Sequence, residues 1–182
     1  MTLAVEVQLA TDGTDVPSSA RIGGWAQAAW RSPTQDAEVV VRIADEAESQ
    51  QLNQEYRGRD NPTNVLSFPY DPVPELDLLH LGDLVICAPV VRREAAEQGK
   101  AAEAHWAHMV VHGMLHLQGY DHDGDDEAGA MEALETEILT GSLDDLVSVA
   151  TSHCTVELED QLGAVVSLDA ADGFLCGIEI VV

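Results

Sequence analysis

The chain has 182 residues and a formal charge of −25, from 33 acidic and 8 basic residues, a field that repels nucleic acid unless local basic groups or salt offset it. No apolar run of about 18 residues is present, which argues against a membrane-spanning helix. The three cysteines, Cys87, Cys154 and Cys176, lack C-x-x-C spacing, which argues against a disulfide framework or a cysteine metal site.

The first residues, Met1 to Val7, have neither a basic region nor a long apolar core, so they read as a strand and not as a secretory leader. A cytoplasmic protein with no membrane partner is expected. Leu3, Val5, Val7 and Leu9 alternate with polar neighbours, the pattern of a half-buried strand. Ser18 or Ser19 can cap a helix running to about Trp30, with Ile22, Trp25 and Ala29 on its apolar stripe. Residues 38–44 read as a second strand. Asp45 with Glu48 resembles a capping box and opens a helix that ends near Tyr56. Arg57 to Asn64 is a loop by its Gly, Asn and Pro content. Val65 to Phe68 is a third strand stopped by Pro69, residues 71–77 are a loop, and Leu81 to Cys87 is a fourth strand. Pro89 suits the first turn of a helix and Gly99 its C-cap. Helices follow at about 101–117 and 125–139, the last stopping at Gly141.

This order predicts an α+β fold. A mixed sheet of about four strands is packed with helices, in one domain over residues 1–141. Residues 142–182 carry no Lys or Arg and read as three short strands separated by turns at Asp160–Gly163 and Asp169–Gly173. They predict a small β-rich C-terminal extension, marginal by itself.

The most informative segment is His112-Gly-Met-Leu-His116-Leu-Gln-Gly119-Tyr-Asp-His122. His112 and His116 are four apart and share one helix face. Gly119 weakens the helix and can turn the chain, so that His122 swings back toward the same point. Three imidazoles from a helix and its following loop make an open tripod, the catalytic rather than the closed arrangement for zinc. A lone helical histidine is more often a core or surface residue, but this spacing is the one used by metzincin metalloproteases. Those enzymes place their general base, Glu, directly after the first histidine. Here that residue is Gly113, so the tripod is present without the protease base.

Other residues carry weaker signals. Asp121 adjoins a ligand and could orient an imidazole or accept a proton, and Asp83 is a second candidate base. His105 and His108 share the helical face of His112, and fit outer hydrogen bonding or plain surface exposure better than ligation. Asp121, Asp123, Asp125 and Glu132 fall at positions 1, 3, 5 and 12 of a calcium loop, but position 6 is Asp126 and not the required Gly.

The block His112 to His122 resembles the signature of the YbeY family of bacterial endoribonucleases. The resemblance extends to Tyr56-Arg57-Gly-Arg-Asp60-Asn-Pro-Thr-Asn64-Val-Leu-Ser-Phe-Pro69 and to Leu81-Gly82-Asp83, in the family's order and spacing, and covers about residues 1–141. It implies an α+β fold with one metal ion, usually taken as Zn2+, held by His112, His116 and His122. It also implies a functionally important arginine at Arg57. The implied activity is single-strand endoribonuclease action in maturing the 3′ end of 16S ribosomal RNA and in ribosome quality control. The implied partners are single-stranded ribosomal RNA and the ribosome or its proteins, with no DNA. Guanidinium matches phosphate oxygens geometrically, which suits Arg57 to such a substrate, with Arg59 as a possible assistant. Without the surrounding block, Arg57 would read as a surface ion pair. The acidity and the tail after Gly141 depart from the family pattern.

Two other functions fit the residues. One is a metal-dependent hydrolase of another substrate class, such as a peptidase, which would need a base other than residue 113. The other is a ribosome-associated assembly factor with little catalysis, whose acidic surface suits basic ribosomal proteins.

Overall fold

The computed structural model describes residues 2–11, 15–32, 36–71, 78–120 and 128–141. The expected β-rich extension at 142–182, His122, and the calcium-loop positions 121, 123 and 125 lie outside the described residues. In chain order the elements are β1 (Leu3–Leu9), α1 (Ser19–Ala29), β2 (Ala37–Ala44), α2 (Glu46–Arg57), β3 (Val65–Pro69), β4 (Leu79–Cys87), α3 (Ala88–Glu97) and α4 (Ala102–Leu117). Residues 128–141 are helical and are called α5.

The helices start where the sequence offers caps. Ser18 accepts from the Arg21 amide, and Asp45 accepts from the Glu48 amide at 2.9 Å, each satisfying a donor that the first helical turn leaves open. Helix α2 ends at Gly58, which adopts φ +69° and returns its amide to the Gln54 carbonyl. Pro89 stands in the first turn of α3.

The sheet is mixed, in the order β1-β2-β4-β3. β1 and β4 both run parallel to β2, and β3 runs antiparallel to β4 at the edge. β4 starts at Leu79, earlier than the sequence suggests, and Pro69 belongs to β3 instead of stopping it. A proline is tolerated there because the strand lies at the edge of the sheet.

One irregularity shapes β4. Glu38 pairs with His80 and Val39 with Gly82, so Leu81 is an extra residue in the ladder. That bulge brings Leu81 into the same core as Leu84 and Ile86 despite its odd spacing from them. Gly82 has φ +136°, and a Cβ there would overlap the Phe68 carbonyl oxygen and lie 2.9 Å from Pro69 Cα. Only glycine allows so close an approach of the two strands.

Each face of the sheet is covered. One face, with Val39, Val41, Leu84 and Ile86, packs against α1 and α4 through Ile22, Trp25, Val110 and Met114, joined by Met131 and Ile138 of α5. The other face carries a smaller cluster of Ala44, Leu66 and Val85 under Leu52 of α2 and Phe68. Helix α4 is the most deeply set element: Trp106, Val110, Val111, Met114 and Leu115 are all buried. Burying a side chain of this size fully is worth about 1.5–3 kcal/mol relative to exposure. No helix among the described residues is long and apolar enough to cross a membrane.

Gly82→Ala is expected to lower the stability of the chain by about 2 kcal/mol or more, since it adds a strained φ to a backbone collision. Urea denaturation checks this, and an unchanged midpoint would contradict the role given to the bulge.

Candidate metal centre

Helix α4 is buried almost all round, and its histidines form its polar stripe. His105, His108, His112 and His116 follow at spacings of three or four, with successive ring centroids 6.3, 5.9 and 4.6 Å apart. The last pair is the important one. His112 Nε2 and His116 Nε2 lie 3.2 Å apart. Two ligands on a tetrahedral zinc at bond lengths of about 2.0–2.1 Å would be separated by about 3.3–3.4 Å. The two imidazoles therefore converge as ligands of one ion would.

What aims them is a residue from α5. The Glu135 carboxylate is buried, with Oε1 2.7 Å from His112 Nδ1 and Oε2 3.5 Å from His108 Nε2. Burial alone would raise its pKa, but hydrogen bonds from His108 and His112, and their charge, outweigh burial and bring it down to about 2. An ionised carboxylate can only accept, so His112 donates from Nδ1, and in the neutral ring the lone pair is then on Nε2, facing His116. A carboxylate behind a ligating imidazole is the usual device for fixing the tautomer and orientation of a metal ligand.

His108, His112 and Glu135 offer ligand atoms that all lie within 4.8 Å of one another, so this group could also hold a cation. The 2.7 Å separation of His112 Nδ1 and Glu135 Oε1 is, however, a hydrogen-bond length, well short of a tetrahedral edge. The 3.2 Å between His112 Nε2 and His116 Nε2 likewise lies within hydrogen-bond range.

Gly113 has a packing reason. Its position is buried, and a Cβ there would lie 2.9 Å from Leu84 Cδ2 and 3.2 Å from Val65 Cγ2. The zincin base position therefore points into the sheet, and a glutamate there would be buried away from the metal. Helix α4 ends in a tight turn: Gly119 takes φ +88°, and the Tyr120 amide returns to the Leu115 carbonyl at 3.1 Å. Gly119 thus turns the chain where the sequence requires it.

Arg57 stands elsewhere. It ends α2, on the sheet face opposite α4, where neighbouring Tyr56 packs edge-on against Phe68 of the edge strand with centroids 4.9 Å apart. On the same strand Ser67 turns the other way, its hydroxyl 3.4 Å from the Gly113 carbonyl. Around Arg57 the loop is pinned: Ser49 Oγ bonds the Thr63 carbonyl and amide, and Asn53 donates to the Asn61 carbonyl at 2.7 Å.

Five of the eight basic residues are held in ion pairs, Arg21 with Glu103, Arg31 with Glu137, Arg42 with Glu48, Arg92 with Asp15 and Arg93 with Glu46. Arg57 and Arg59 have no acidic partner among the described residues.

Asp83 does not reach the histidines. It shares the strand face of Val85, opposite Leu84 and α4, and sits 3.7 Å from His80. His105 is buried and bonds Glu94 at 2.9 Å, while Glu94 also accepts from Asn64. That network ties α4 to α3 and to the start of β3.

A family model described as Endoribonuclease YbeY matches residues 15–142. The chain belongs to the YbeY endoribonuclease family. Membership makes it a nuclease of the hydrolase class, with RNA as substrate and a role in ribosomal RNA processing. Among solved structures, the solution structure of TM1509 from Thermotoga maritima is similar. It is 25% identical, with 79% of this chain and 92% of that chain covered and a TM-score of 0.55, in agreement with the α+β fold.

Glu135→Gln is expected to weaken metal affinity about 10- to 100-fold while leaving the chain folded, because it replaces the charged acceptor behind His112 with a neutral amide. Metal titration with a chromogenic chelator, alongside circular dichroism, measures both. Unchanged affinity in the folded variant would show that Glu135 does not orient the ligand.

Proposed function

We propose that this chain is a zinc-dependent single-strand endoribonuclease that matures the 3′ end of 16S ribosomal RNA and serves ribosome quality control in the cytoplasm. The observation that carries the reading is the pair of imidazole nitrogens 3.2 Å apart on α4, with a buried carboxylate behind one of them, in a chain of this family. Residues 1–141 form the catalytic domain, and residues 142–182 are an appended extension.

In this reading His112, His116 and His122 hold one Zn2+ per chain. Zinc held by three neutral imidazoles with an open position supplies Lewis acidity at neutral pH. The remaining work belongs to the chain. Glu135 keeps the His112 proton on Nδ1 and its lone pair toward the ion. Whether water or the RNA's own 2′-hydroxyl attacks phosphorus, negative charge builds on the phosphate oxygens. Arg57 donates to those oxygens in a planar fork that fits them. Its lack of an acidic partner among the described residues supports this role, since most of the chain's other cations are already neutralised. Its place at the end of α2 is also favourable for a cation near the helix C-terminus.

A peptidase is a poorer fit, because position 113 is packed into the sheet. The acidic surface suits contact with basic ribosomal proteins as partners.

His116→Ala is expected to abolish stoichiometric zinc binding, measured by metal analysis of the purified chain. Arg57→Ala is expected to retain zinc and lose about 100-fold in cleavage of single-stranded RNA. Full cleavage by a metal-free His112/His116/His122 triple alanine variant would rule out the proposed chemistry, and full cleavage by Arg57→Ala would remove that residue from it.

A further inference from the structure

At the C-terminal end of α4, the helix that carries His112 and His116, lies a concavity of about 570 Å³, within the range of about 300–1,000 Å³ typical of small-ligand sites. Its walls include Trp30, Arg31, Tyr70, Leu81, Leu117 and Tyr120. Leu117 directly follows His116, and Tyr120 stands two residues before His122. We propose that this groove is a nucleobase subsite, which takes one base of single-stranded RNA next to the cleaved bond. The proposal rests on the endoribonuclease reading above.

Three observations point to a base. The first is the lining: aromatic and aliphatic side chains with one cation, Arg31, and no Asp or Glu among the described lining residues. On a chain with 33 acidic residues, a groove without acid at the end of the histidine-bearing helix is a place where a polyanion can approach. Arg31 itself is only loosely engaged, 3.8 Å from the exposed Glu137.

The second is the presentation of flat rings. Tyr70 is 55% exposed and Tyr120 36% exposed, where a monomer would ordinarily cover such rings or leave them scattered. Bases of any identity stack on such rings, which suits a single strand.

The third is that the walls are held in place. The Gln118 side chain donates to the Ala29 and Met114 carbonyls and accepts from the Arg31 amide, each at 2.9 Å. It thereby locks the Trp30–Arg31 segment to the end of α4. On the opposite wall the Tyr70 amide extends the ladder to the Leu81 carbonyl at 3.1 Å. Its ring meets His80 edge-on at 4.8 Å, and His80 is in turn 3.0 Å from Glu38. A pre-positioned platform loses little freedom when a base stacks on it.

The test uses the full zinc-loaded chain and a short single-stranded RNA that it cleaves, together with versions of that RNA in which one abasic site is moved along the strand. At one position near the cleaved bond, loss of the base is expected to lower kcat/KM by about 5- to 100-fold, the scale of one base–aromatic stack. Tyr70→Ala should lower kcat/KM on the intact RNA by a similar factor, and the abasic site should then cost little more, because the two changes remove one contact. Tyr70→Phe should restore cleavage, and zinc content should be unchanged in both variants. Wild-type indifference to every abasic position, or losses that multiply between Tyr70→Ala and the abasic RNA, would overturn the subsite and leave the nuclease reading intact. Absence of cleavage by the wild-type chain would overturn both.

Discussion

The Glu135 carboxylate, buried against α4 and 2.7 Å from His112 Nδ1, sets the geometry on which the site depends. An ionised carboxylate in that position removes one of the two tautomers open to His112 and directs its remaining lone pair at His116. The cost of burying the charge is offset by two imidazoles instead of by water. Because Glu135 comes from α5 and the ligands from α4, the packing of these two helices through Met131 and Ile138 is also what aligns the metal site. Core and chemistry are coupled here by one helix contact.

A second constraint is charge. A chain at −25 needs local means of meeting an anionic polymer, since its long-range field opposes association. The structure distributes its few cations unevenly. Most are tied to carboxylates, while Arg57 and Arg59 flank the glycine that caps α2, next to a loop pinned by Ser49 and Asn53. The groove at the end of α4 offers rings where charge is scarce. Phosphate recognition by Arg57 and Arg59, which have no acidic partner among the described residues, and base recognition by aromatics would together lessen the need for a basic surface.

Much of this was legible in the sequence. Alternation located the strands, Ser18 and Asp45 located helix starts, and Gly58, Gly99 and Gly119 were turns with positive φ. The pairing of His112 with His116 followed from helical spacing. Other features needed three dimensions. The bulge at Leu81 is invisible in the sequence because it depends on which residue of β2 faces which of β4. Asp83 looked like a candidate base, but strand alternation after the bulge turns it to the face opposite α4. Glu135 was missed, although a cue existed: it occupies a position in the stripe of Met131, Leu134 and Ile138 where the period asks for an apolar residue. A carboxylate kept on a buried face signals a partner already waiting there.

The most direct test of the account is the coordination of the bound ion. X-ray absorption spectroscopy on the zinc-loaded chain should report three imidazole nitrogens at about 2.0–2.1 Å and one water oxygen, with no protein carboxylate. A signal of two imidazoles with a carboxylate would instead place the ion among His108, His112 and Glu135, and would contradict the assignment of Glu135 as the group that stands behind the metal ligands.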